Sequence, residues 1–218
     1  MQDFLKELFT SGSFVQMGAI AAILASVASG CIGSYVVTLR ISYIAGAIAH
    51  CILGGMGIAH YLKHAKGVEW ILPLHGAIIA SLIATAIIGT LTLRRKERAD
   101  TILGAVWSIG MAIGLYFMYI TPGYNQELSG YLFGSITMVS THDIILVAIL
   151  DALVILIVVL FYGKLLAVSF DEEFARLRGI NVHFWYLLLL CLTALTVVLL
   201  VQLVGIVLVI ALLTLPPA

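Results

Sequence analysis

From Gly179 to Ala218 the chain carries no Asp, Glu, Lys or Arg. Roughly 20 apolar residues are enough to cross a bilayer as a helix. Inside lipid every backbone polar group must be satisfied internally, so a run of this kind folds as a membrane helix. Similar uncharged runs recur upstream. The composition agrees: of 218 residues, 62% are hydrophobic and 10% charged, which no water-soluble domain of this length matches. The expected fold is all-α, a polytopic transmembrane bundle of about seven spans forming a single domain over residues 1–218.

The expected spans are Phe14 to Leu39, Ile41 to Leu62, Ile71 to Leu93, Thr101 to Ile120 and Ile144 to Tyr162, then Trp185 to Val201 and a seventh from Val204. Residues 1–11 are expected at the interface. Lys63 to Glu69 is a polar loop. Asp100 is placed to cap the fourth span, with Asp143 as a cap and His142 exposed. Tyr131 to Val139 is too short to cross and is read as re-entrant. Gln202 and Gly205 are read as a turn. Val204 to Leu215 supplies only ~18 Å of helix, against a hydrocarbon core of about 30 Å. The expectation is therefore a chain truncated relative to a longer protein, or one whose Pro216 sits in a watery vestibule.

Basic residues set the orientation. Arg94, Arg95, Lys96 and Arg98 form the densest cluster. If that cluster is cytoplasmic, alternation places Arg40, Lys164, Arg176 and Arg178 on the same side and the N-terminus outside. Cys31, Cys51 and Cys191 are far apart in apolar runs, which suggests neither a disulfide framework nor a Cys-x-x-Cys site.

The longest polar interruption runs from Lys164 to His183. Phe170, Phe174, Leu177 and Ile180 recur at helical spacing, with Asp171, Glu172 and Glu173 ahead of Arg176 and Arg178. Gly179 closes the run. Acids first and bases last match a helix dipole, and a short amphipathic helix over about 169–180 is expected. Acidic residues fit poorly on anionic headgroups, so a soluble partner suits this helix better than the lipid surface.

Several residues are candidates for handling a cation. His50 falls near mid-membrane, with Gly46, Gly54 and Gly57 on its helical face. Such a face admits another backbone or lines a path. A neutral imidazole there either meets a passing metal ion or hydrogen-bonds across helices. Asp151 lies inside the fifth span, where it either attracts a cation or is held neutral by a neighbour. His60, His64 and His75 could gather a metal at the outer mouth, or belong to an ordinary interfacial loop. No Gly-x-x-x-x-Gly-Lys-Ser/Thr sequence is present, so ATP would be hydrolysed elsewhere. The chain has neither the His-Glu-x-x-His of a metalloprotease nor a Gly-x-Ser-x-Gly elbow, and it is read as a non-enzyme.

Five segments, in order, resemble the ABC-3 family of permease subunits. They are Arg40 to His50, Asp100 to Gly114, Tyr131 to Ile136, Phe170 to Ile180 and Val204 to Ala218. The resemblance implies the membrane subunit of an ATP-driven importer of zinc, manganese or iron in a cell membrane. Its expected partners are a separate ABC ATPase, an extracytoplasmic metal-binding protein, a second copy of the permease and the lipid bilayer; nucleic acid is not among them. Phe170 to Gly179 is similar to the helix that couples to the ATPase. The family commonly carries Asp four residues before the second-span His; this chain has Gly46. Zinc, carried as Zn2+, is the first expectation because the candidate ligands are histidines, with Mn2+ or Fe2+ within the same family. The reading from a different class is an ATP-independent secondary transporter or channel using His50 and Asp151 as a relay.

Overall fold

The computed structural model describes residues 13–68, 70–94, 99–121, 134 and 141–215, without the side chains of residues 94, 99, 142 and 143. Among the described residues there are eight helices and no strand. These are α1 (Phe14–Thr38), α2 (Ser42–Lys66), α3 (Pro73–Arg94), α4 (Ala99–Ile120), α5 (Thr141–Leu160), α6 (Tyr162–Phe170), α7 (Glu172–Leu177) and α8 (Val182–Thr214). Five are long and apolar enough to cross a membrane, and α5 with α6 forms a bent pair that would make a sixth. Apart from Gly134, the segment Tyr131 to Val139 read as re-entrant lies outside the described residues, as do residues 1–11, read as interfacial. So do Arg95 to Arg98, the side chains of His142 and Asp143, and the chain end from Pro216.

Capping chemistry explains most of the helix boundaries. The Ser13 hydroxyl accepts a bond from the Gln16 amide at 3.1 Å and starts α1. At the other end Arg40 adopts a left-handed φ of 56°. The Arg40 and Ile41 amides donate back to the Val37 and Val36 carbonyls, each at 2.9 Å, which closes the helix as a Schellman cap. Helix α2 outruns its expected end at Leu62 and stops before Gly67, whose φ of 71° supplies the left-handed cap. Lys63, His64 and Lys66 fill its last turn, where cations suit the helix dipole. Pro73 opens α3, at a position where its missing N–H costs nothing. Asp100 lies in the first turn of α4, where a carboxylate also favours the helix start.

The fifth span ends at Leu160, next to its expected end at Tyr162, and a 77° bend leads into α6, a helix not among the expected elements. The expected sixth and seventh spans meet at Gly205 (φ 80°, ψ 164°), one of the two residues expected to mark the break, and run on across that kink as α8. Only glycine takes that backbone conformation cheaply, so the interruption falls on Gly205.

The core is organised around α2, which packs against α4 on one side and α3 on the other. Helix α8 closes over α1, α3 and α2, and α5 packs on α1. Small residues let backbones come together, the usual solution where lipid offers helices no hydrophobic drive to associate. A Cβ added at Gly54 would lie 2.8 Å from the Gly110 carbonyl oxygen, and one at Gly57 would lie 2.8 Å from that of Gly114. Gly55 and Gly76 face each other across the α2–α3 contact in the same way.

Candidate functional site

His50 sits eight residues into α2, ~12 Å along its axis. Its imidazole is half-buried, and Nδ1 is buried without a hydrogen-bond partner. The ring stacks on the indole of Trp107 from α4, with centroids 4.3 Å apart and planes 23° from parallel. Trp107 is likewise eight residues into its helix. The same indole covers Gly46: a Cβ there would lie 3.1 Å from Trp107 Cζ3 and 3.8 Å from Ile210 Cδ1 on α8. The glycine face of α2 therefore meets α4, with Gly46 against an aromatic ring and Gly54 and Gly57 against backbone. Cys51, beside His50 in sequence, meets α4 elsewhere; its Sγ donates to the Val106 carbonyl at 3.4 Å.

Trp107 did not stand out in the sequence. A signal was available, since tryptophan prefers the membrane interface and this one falls well inside a span.

Asp151 is 3% exposed, and both its carboxylate oxygens lack a hydrogen-bond partner. Its helix packs on α1, α8 and α6, so Asp151 and His50 belong to different helix contacts. At the other end of α2, His60 and His64 stack at 4.0 Å because the helix carries on through His64. His64 Nδ1 lies 3.1 Å from the His60 carbonyl. His75 Nδ1 accepts from the Leu72 amide at 3.2 Å, within its own helix start. Among the described residues, no three His, Cys, Asp or Glu side chains come together as a metal site.

The amphipathic segment becomes α7 and its caps. Asp171 Oδ1 accepts from the Glu173 and Phe174 amides, each at 2.9 Å, which makes it the N-cap. Glu172 pairs with Arg176 at 3.9 Å, and the Arg178 guanidinium lies 4.8 Å from the Phe174 ring centre. Gly179, at φ 74°, ends the helix. Ala175 is fully buried and holds α7 to the bundle, whereas Phe170 and Leu177 are 73% and 86% exposed. A cleft of about 260 Å³ lies between Arg40, Thr92, Leu93, Asp100, Glu172 and Tyr186. It gathers the α1–α2 turn, the end of α3, the start of α4 and α7 at one end of the bundle.

A bundle of apolar helices around a glycine-packed central span, with an exposed amphipathic helix at one end, is the architecture of a multi-pass membrane protein. The chain belongs to the ABC 3 transport family, whose profile matches residues 11–218. Membership makes it a permease and not an enzyme in its own right. It is 44% identical over 197 residues to a Chlamydia trachomatis protein named "Probable metal transport system membrane protein", covering 90% of this chain and 67% of that one. It is 31% identical over 215 residues to the manganese transport system membrane protein MntC of Halalkalibacterium halodurans, covering 99% of this chain and 71% of MntC. Among solved structures, PsaBC from Streptococcus pneumoniae in complex with Fab superposes with a TM-score of 0.82 at 29% identity, over 98% of this chain and 74% of that chain.

Proposed function

We propose that this chain is the membrane-spanning permease of an ATP-driven importer of divalent transition-metal ions. The observation that carries the reading is His50, an imidazole at mid-depth in the most enclosed span with Nδ1 unpartnered. Neutral imidazole is a ready ligand for zinc and its neighbours. One weak ligand suits passage, because a complete tetrahedral site would hold the ion too long. The metal named for the Chlamydia relative and the manganese named for MntC support the substrate class.

Zinc is the first choice on the donor set, since a histidine without an adjacent carboxylate suits zinc better than manganese. Manganese is the second reading, favoured by the name of MntC. The permease works with a second copy of itself, a separate ATPase docked on Phe170 to Gly179, and an extracytoplasmic binding protein. It lies in the cell membrane with its N-terminus outside. His60, His64 and His75 stand at the outer end of the bundle, and Asp151, buried in a helix contact separate from that of His50, is neutral unless a cation reaches it.

The test is accumulation of radioactive zinc by vesicles holding this chain with its ATPase and binding protein, with and without ATP and with manganese as competitor. ATP-dependent accumulation that manganese does not suppress is expected. Suppression by manganese would exchange the metal, and accumulation without ATP would favour a secondary transporter.

A further inference from the structure

Positions 46 and 50 are one helical turn apart on the same face of α2, so a side chain at 46 is the natural neighbour of the His50 imidazole. Here that neighbour comes from another helix. Trp107 fills the space in which a residue-46 side chain would grow, 3.1 Å from a Cβ placed there, and stacks on the His50 ring at 4.3 Å and 23°. Ile210 closes the same space from α8. The indole thus lies along the imidazole plane and crowds position 46, so that even a Cβ there would push the ring aside by a few tenths of an ångström. An imidazole that takes a divalent ion becomes electron-poor, and a stacked indole face favours that form.

We propose that Trp107 is a positioning and specificity residue for the ion at His50. It orients the imidazole and restricts the ion to one protein nitrogen with water completing its shell. Such a site favours a borderline ion such as zinc over a hard ion that prefers carboxylates. The proposal rests on the reading of His50 as a residue of the ion path.

The test compares zinc and manganese uptake by the assembled transporter, with its ATPase and binding protein, for the wild type, Trp107→Phe, Trp107→Leu, Gly46→Asp and Gly46→Asp/Trp107→Ala, each normalised to membrane abundance. Trp107→Leu, which lacks the aromatic face, is expected to reduce the zinc-over-manganese preference about tenfold, a typical size for a change of one pocket side chain. Trp107→Phe keeps a ring and is expected to keep most of the preference. Gly46→Asp alone is crowded by the indole and is expected to lower uptake; adding Trp107→Ala is expected to restore it with the preference turned toward manganese. That rescue stands as the deciding arm should Trp107→Leu not reach the membrane. Wild-type preference in both Trp107→Leu and the double variant would overturn the assignment of Trp107 alone. A wild-type assembly that moves neither ion would overturn the importer reading and this proposal with it.

Discussion

Gly55→Ala is expected to remove most of the protein from the membrane. The added methyl would overlap the backbone of Gly76 and the Cβ of Ala80, and Gly76 presses back on Gly55 and Ala59. Backbone cannot swing aside as a flexible side chain would. Helix α2 cannot retreat either, because Gly54 and Gly57 already hold it against Gly110 and Gly114 on the opposite side. Overpacking of this kind costs about 1–3 kcal/mol where side chains can yield, and this contact belongs at or above the upper end. Gly104→Ala is the matched control, since nothing lies within 4 Å of a Cβ there. That change is expected to be neutral or to stabilise α4 by up to ~1 kcal/mol, the ordinary gain of alanine over glycine in a helix. Membrane abundance and the midpoint of thermal unfolding in detergent measure both. Equal values for the two variants would refute the packing of α2 described above.

Leu177→Asp is expected to abolish association with the ATPase while leaving the permease folded. Leu177 is 86% exposed and makes no part of the core, so its replacement is a surface change worth within about 0.5 kcal/mol of stability. The short helix is fixed independently, by the Asp171 cap and by buried Ala175. Desolvating a carboxylate inside an apolar docking contact costs several kcal/mol unless it finds a partner, enough for a loss of association of about a hundredfold or more. Co-purification of the ATPase and metal-stimulated ATP hydrolysis would report it. Normal co-purification would mean that Phe170, Phe174 and Leu177 rest on lipid.

Much of this arrangement could be read from the residues, for reasons specific to each. The apolar runs and basic clusters located the long helices, because burial in lipid tolerates little else. The order of acids before bases in Asp171 to Arg178 gave a short helix, and Gly179 gave its end. His50 stood out because an ionisable group inside a span is costly. The breaks fell where the residues marked them, at Gly205 between the last two spans and at Phe161 beside the expected end of the fifth span at Tyr162. Periodicity could not say how the chain would continue past each break, as a kinked α8 and as the added helix α6. Helix α2 reaches Lys66 because Gly67 caps it, a signal present in the sequence but outweighed by the polarity of Lys63 to Lys66. The partner of His50 lay 57 positions away in Trp107, and no local pattern encodes a contact between helices.

The most direct test of the central claim is the initial rate of ATP-dependent zinc uptake by His50→Ala beside the wild type, in vesicles with equal amounts of permease, ATPase and binding protein. If the ion passes His50, the rate falls at least about tenfold, the effect of losing one metal contact worth roughly 1.4 kcal/mol, while basal ATP hydrolysis and membrane abundance stay the same. An unchanged uptake rate at equal abundance would contradict the account, leaving His50 as a packing partner of Trp107 and placing the ion path elsewhere in the bundle.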